Sequence, residues 1–191
     1  MIYIADYIEA MLPYMLGAFP LIIIFRLFRV RSLHKGGSRT TLWHETGLVI
    51  FMLYLIGLAS QAIIPHSISL NFFSGSVNLI PFHVFVDAWR EANLNHNFEP
   101  LIISLAGNIG IFMPMGFFIP LLWRRTFKQT VLISFFASLT IEVCQLPQSR
   151  CSDIDDLWMN ALGGLIGWFV YFLLNRLKPK MTVRFKANKK I

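Results

Sequence analysis

Acidic and amide side chains recur between two strongly apolar stretches in the C-terminal half of the chain. They are Glu142, Gln145, Asp153, Asp156 and Asn160, with Arg150 among them. Polar groups at or inside a membrane boundary are costly, so each is expected to face a partner or a ligand. Paired carboxylates such as Glu142 and Asp156 could act as general acid and base, and an arginine could hold a phosphate.

The second half of this segment has the spacing of one helical face. Asp153, Asp156, Asn160, Gly163 and Gly167 follow one another at alternating steps of three and four residues, which places them on one stripe. Acids in the first turn of a helix are also stabilised by its free N–H groups, by about 0.3–1 kcal/mol each. That effect is sufficient to explain Asp155, which lies off the stripe.

Asn108, a polar residue of another apolar stretch, is expected at a similar depth in the membrane. Three polar residues lie at similar depths below the helix ends on one side of the membrane. At about 1.5 Å per residue, the depth is roughly 8 Å for Glu142, 10 Å for Asn108 and 6 Å for Asn160. Two interpretations stay open. These residues form a ligand-binding pocket, or Glu142, Arg150 and an aspartate form an internal clamp that fastens two helices together.

The surrounding sequence is that of a membrane protein. Hydrophobic residues make up 55% of the 191 residues, charged residues 14%, and the mean hydropathy is +0.59. Five apolar stretches have about the length that crosses a bilayer. We therefore predict an all-α, polytopic bundle whose spans are roughly Tyr7–Phe28, Glu45–Ile64, Leu101–Trp123, Gln129–Leu146 and Leu157–Leu177.

The distribution of charge predicts the orientation and argues against nucleic acid as a partner. Fifteen of the 17 Lys and Arg residues lie in three clusters, at 26–39, 124–128 and 176–190. With five spans all three clusters fall on one side, which the positive-inside rule makes the cytoplasm. The N-terminus is then outside, the C-terminus is inside, and the segment Arg26–Trp43 is a solvated connector.

The external segment between the second and third spans contains a predicted short helix. Phe82, Phe85, Val86, Trp89 and Ala92 recur at helical spacing, opposite polar residues. The pattern favours a helix lying in the outer membrane interface, with a lid over an outward cavity as the alternative.

Other chemical signals are weak. The histidines have no zinc spacing, and the chain has neither a phosphate-binding loop nor a nucleophile elbow, so we predict no metal and no cofactor. Cys144 and Cys151 are predicted to be free thiols unless a turn brings them together. The glycines around Gly107 and Gly163 are predicted to pack helices rather than to bind a ligand.

Four sequence blocks, in this order, resemble the signature of the VanZ-like membrane proteins, and together they cover Asn78–Gly167. The blocks are Asn78-Leu79-Ile80-Pro81-Phe82, then Asn108-x3-Phe112-x-Pro114-x-Gly116, then Glu142-x2-Gln145, then Arg150-x2-Asp153-x2-Asp156-x3-Asn160-x2-Gly163. We accordingly divide the chain into a variable two-span part at 1–77, a VanZ-like core at 78–177 and a basic cytoplasmic tail at 178–191.

The resemblance implies a bacterial, multi-pass plasma-membrane protein, and the family's named member is associated with resistance to teicoplanin. The first hypothesis is an outward-facing pocket that binds an envelope lipid, a lipid-linked cell-wall precursor or a lipoglycopeptide without enzymatic turnover. Its residues would be Asn108, Glu142, Gln145, Arg150, Asp153, Asp156 and Asn160.

Two alternatives stay open. One is an intramembrane enzyme acting on a lipid-linked substrate such as a polyprenyl phosphate or a phospholipid, with Glu142 or Asp156 as its acid/base. The other is a lipid transporter. It fits less well, because alternating access needs a site near the membrane midplane and the polar groups recognised above all lie in the outer third.

Overall fold

The computed structural model describes residues 4–63, 77–145 and 152–186. In chain order the elements are α1 (Ile4–Lys35), α2 (Leu42–Ile63), β1 (Val77–Asn78), α3 (His83–Asn95), α4 (Glu99–Leu122), α5 (Phe127–Gln145), β2 (Ser152–Asp153), α6 (Ile154–Leu177) and α7 (Pro179–Arg184). Five of these helices, α1, α2, α4, α5 and α6, are long and apolar enough to cross a membrane. The predicted all-α architecture is therefore confirmed, and α3 corresponds to the predicted short helix.

The connector predicted at Arg26–Trp43 is mostly wrong. Helix α1 continues to Lys35 and α2 begins at Leu42, because the basic and apolar residues after Arg26 are adequate helix formers. The helix ends where Gly37 adopts a left-handed φ of 73°, a conformation that favours glycine. Only a short turn is left between the two helices.

Helix α6 lies between α4 and α5, and glycines allow the close approach. A Cβ at Gly163 would collide with the carbonyl oxygen of Ile109 on α4, and one at Gly167 with that of Met113. The order of these contacts shows that α4 and α6 run parallel. The predicted packing role of these glycines is thus confirmed, whereas a Cβ at Gly107 would meet no described atom within 4 Å.

Alternating helix directions divide the charges between two ends of the bundle. We call the end that carries Glu142 and the N-termini of α4 and α6 the acidic end, and the opposite one the basic end. Helix α2 runs antiparallel to α4, since Tyr54 donates a hydrogen bond of 2.7 Å to the carbonyl of Ile111 and the ring of Phe51 lies 5.8 Å from that of Phe118. An apolar core joins the two helices, built from Leu48, Phe51, Leu58, Phe112, Met115, Ile119 and Leu122.

The start of the predicted basic tail is folded against the basic end. Thr182 on α7 is fully buried and donates to Oδ1 of Asn175 over 2.6 Å. Thr41 donates to the carbonyl of Arg184, and Nδ1 of the buried His44 lies 2.6 Å from that of Phe185. Residues 179–185 therefore cap the start of α2, an arrangement that charge counting does not predict.

Candidate functional site

The buried face of α5 is polar along its whole length. Its buried residues are Thr130, Ser134, Ser138, Glu142 and Gln145. The first four are spaced by four residues, so they align on one side of the helix. Of these five residues, only Glu142 and Gln145 were predicted to belong to the site, although the regular spacing of the hydroxyl residues is visible in the sequence.

Two hydrogen bonds tie this face and α4 to α6. Asn108 on α4 donates from Nδ2 to Oδ1 of Asp156 over 2.8 Å. Asn160, one turn further along α6, donates from Nδ2 to Oγ of Ser138 over 2.8 Å. Polar side chains of three helices, α4, α5 and α6, are thus joined within the bundle.

The register of α5 against α6 sets the position of Glu142. Ser138 is bonded to Asn160, and a Cβ on Gly164 would lie 2.5 Å from Oγ of Ser134, so the two helices run antiparallel. One turn further toward the acidic end, Glu142 is level with Asp156. Glu142 is 7% exposed, so the two carboxylate residues share one level inside the bundle.

Asp155 makes contacts that its position in the first turn of α6 does not predict. It is fully buried, and its Oδ1 accepts hydrogen bonds from the Phe82 backbone N–H at 2.5 Å and from Nε1 of Trp158 at 2.8 Å. The helix N-terminus alone therefore does not account for it. Asp155 holds the segment 78–82 against the first turn of α6.

That segment corresponds to the first of the four sequence blocks. Asn78 accepts a hydrogen bond from the Ile80 backbone, and strands β1 and β2 pair in parallel, Val77 with Ser152 and Asn78 with Asp153. Phe82 has a left-handed φ of 64°, and its ring lies 5.4 Å from that of Trp158. The first and fourth blocks are therefore packed together at the acidic end.

The structure describes five of the seven predicted ligand-binding side chains. Glu142, Gln145 and Asn160 are buried, and Asn108 and Asp156 are partly buried. The other two predictions concern Arg150, which lies outside the described residues, and the side chain of Asp153, of which only the backbone is described. Cys151, whose pairing with Cys144 depends on the turn between α5 and α6, also lies outside the described residues.

Two buried polar atoms have no hydrogen-bond partner among the described residues. They are Oγ of Ser134 and Oδ1 of Asn160, on side chains that are 0% and 6% exposed. Ser134 lies eleven residues before the end of α5, which is roughly 16 Å along the helix and close to the middle of a bilayer. Polar groups therefore reach the midplane, and the statement that they lie only in the outer third is wrong.

This arrangement defines the class of protein. Five helices are long and apolar enough to cross a membrane, and three of them, α4, α5 and α6, are joined by hydrogen bonds between polar side chains, which is the organisation of a multi-pass membrane protein with an intramembrane polar site. The family model VanZ/LLP1 matches residues 46–175, more than half of the chain. The chain therefore belongs to the VanZ/LLP1 family, and the match takes in most of α2 as well as the predicted core.

Comparison with curated proteins and comparison with solved structures gave no match.

Proposed function

We propose that this chain is a bacterial plasma-membrane protein that binds the polar head of an envelope lipid or of a lipoglycopeptide, without chemical turnover. The proposed polar site consists of Asn108, Glu142, Gln145, Arg150, Asp153, Asp156 and Asn160. The observation that carries the proposal is the convergence of Asn108, Glu142 and Asp156 from three different helices at one level of the bundle.

Carboxylates inside a membrane bundle cost free energy unless they serve a purpose. A carboxylate within the hydrocarbon region costs about 2.5–3.5 kcal/mol even on the lenient insertion scale. The chain places Glu142 and Asp156 at one level and adds amides from Asn108 and Asn160. Carboxylates accept hydrogen bonds and amides both donate and accept them, so the set suits a head group rich in hydroxyls, amides or ammonium groups.

The proposed orientation places the acidic end outside, where cell-wall precursors and glycopeptide antibiotics meet the membrane. Binding there would protect the cell by sequestering the lipid-tailed antibiotic or by occupying the lipid that it uses. Such a mechanism predicts stronger protection against teicoplanin, which has a lipid tail, than against vancomycin.

The test is expression in a susceptible Gram-positive host, with minimal inhibitory concentrations measured for both antibiotics. Tolerance to teicoplanin should rise more than tolerance to vancomycin, and Glu142→Gln and Asp156→Asn should each abolish the rise. Glu91→Gln is the matched control, since Glu91 is an exposed acid at the same end. Tolerance that is absent, or that survives both site variants at normal membrane abundance, rejects the proposed function.

Glu142 and Asp156 lie at the same height in the bundle, and this favours a second candidate function, acid/base catalysis on a lipid-linked substrate. Two carboxylates in unlike surroundings can hold pKa values far enough apart to serve as acid and base. Purified protein incubated with polyprenyl phosphates and phospholipids tests this. Product formation that Glu142→Gln removes supports it, and no turnover across a range of pH and ions rejects it.

A further inference from the structure

A second site lies at the opposite end of the bundle, between α2, α4 and α5. It is a groove of about 380 Å³, within the usual size range of small-molecule sites. We call it the basic-end groove; its walls include Phe51 on α2, Met115 and Trp123 on α4, Ile133 and Ala137 on α5, and Arg125 in the turn between α4 and α5. Arg125 is the charged residue in this lining.

The depth of the basic-end groove matches one leaflet of a membrane. Ala137 lies ten residues beyond the start of α5 at Phe127, so the groove extends roughly 15 Å from Arg125 along the helix axis. That is about half of the roughly 30 Å hydrocarbon thickness of a bilayer. Trp123 and Ile133, which are 39% and 41% exposed, form the rim on the side that faces lipid.

The charge at the mouth of the groove has no protein counter-ion among the described residues. Arg124, Arg125 and Lys128 are exposed, and none forms a salt bridge in the described part of the chain. By contrast, Arg26 at the same end is paired with Glu45 at 2.7 Å. A hydrogen bond of 2.5 Å from the Arg125 backbone N–H to the Trp123 carbonyl keeps Arg125 in a tight turn over the groove.

We propose that the basic-end groove binds one anionic glycerophospholipid of the adjacent leaflet. One acyl chain lies along Met115 and Ala137, and the phosphate is bound by the guanidinium of Arg125, with Arg124 and Lys128 adding positive charge. An apolar groove as deep as one leaflet selects an acyl chain, and the exposed cations at its mouth select a negative head group. This proposal is independent of the polar site, which lies at the other end.

The test is native mass spectrometry of the purified full-length protein in detergent, titrated with dioleoyl phosphatidylglycerol or with dioleoyl phosphatidylcholine. The first phosphatidylglycerol should bind about fivefold more tightly than phosphatidylcholine, the preference expected of about one well-placed surface cation. Arg125→Gln should remove most of this preference, because it weakens binding of phosphatidylglycerol more than binding of phosphatidylcholine. Arg29→Gln is the matched control, an exposed arginine of α1 at the same end that is also without a salt bridge in the described residues.

A second variant tests the groove itself. Ile133→Trp, at the half-exposed rim, should narrow the groove and weaken binding of both lipids without unfolding the bundle; Ala137→Phe, deeper in, should do the same. Equal binding of the two lipids to the wild type overturns the proposal, and so does an equal loss of preference in Arg125→Gln and Arg29→Gln. Unchanged lipid binding in a folded Ile133→Trp protein overturns it as well.

Discussion

Asn108 on α4 donates a hydrogen bond of 2.8 Å to Asp156 on α6, 48 residues further along the chain, and this contact joins two of the sequence blocks. It lies on the same interface as Gly163, whose missing side chain allows α4 to approach α6 closely. A polar contact and close helix packing therefore occur at one interface, and each can be tested by substitution.

The Asn108–Asp156 bond should appear as a coupling energy. A double-mutant cycle with Asn108→Ala and Asp156→Ala should give about 0.6 kcal/mol, the average for hydrogen bonds between membrane helices, and at most about 1.7 kcal/mol. Unfolding in mixed micelles measures it. Asn93→Ala, which removes an exposed bond to the Trp89 carbonyl, should change stability by less than about 0.5 kcal/mol. A coupling energy near zero would show that the bond does not stabilise the fold.

The two serines of α5 should differ in their contribution to stability. Ser138→Ala removes the acceptor of the Asn160 amide and should cost about 1–2 kcal/mol, because that buried donor loses its partner. Ser134→Ala deletes a hydroxyl that has no partner among the described residues and should change the free energy of unfolding by less than about 0.5 kcal/mol. Equal losses in the two variants would contradict this assignment.

Two glycines of the bundle form a second matched pair. Gly167→Ala places a methyl group against the carbonyl of Met113, and 2.9 Å from the backbone nitrogen of Phe117, so it should destabilise by about 1–3 kcal/mol through overpacking. Gly107→Ala meets no described atom within 4 Å and should leave stability unchanged or slightly raised. Melting temperatures of the purified variants in detergent distinguish the two. Similar values would mean that α4 and α6 are further apart than described.

Asp155 should control the segment 78–82. Asp155→Ala removes the acceptor of the Phe82 N–H and of the Trp158 indole, so chymotrypsin should cut the reconstituted protein faster after Leu79 or Phe82. Asp87→Ala serves as the control, because Asp87 is half exposed on α3 and pairs only loosely with His83 at 3.2 Å. Identical cleavage rates would show that Asp155 does not anchor the segment.

The predicted orientation has a direct test in intact cells. In a background with Cys144→Ser and Cys151→Ser, a cysteine at Asn93 should react with a membrane-impermeant maleimide from outside. A cysteine at Ser38, in the turn between α1 and α2, should react only after permeabilisation. The opposite result would place the acidic end in the cytoplasm and would remove the basis for an antibiotic-facing site.

Different parts of the site were predictable to different degrees. Asn108, Glu142 and Asn160 were identified because a polar residue in an apolar helix is conspicuous and its depth can be counted. Ser134 and Ser138 were missed because serine is common in membrane helices and its hydroxyl can bond to its own backbone. Asp155 was assigned to the helix N-terminus because its partner, the Phe82 backbone N–H, lies 73 residues away and has no signature in local sequence.

The sequence by itself determined the number of spans, the separation of charge between the two ends and the family, because hydrophobic length and charge are local properties that add along the chain. Only the tertiary structure decided which helices meet. Three features depend on how side chains of different helices pack against one another. They are the parallel contact of α4 with α6, the equal height of Glu142 and Asp156 in the bundle, and the basic-end groove. That is a property of pairs of distant residues, and spacing along one helix cannot specify it.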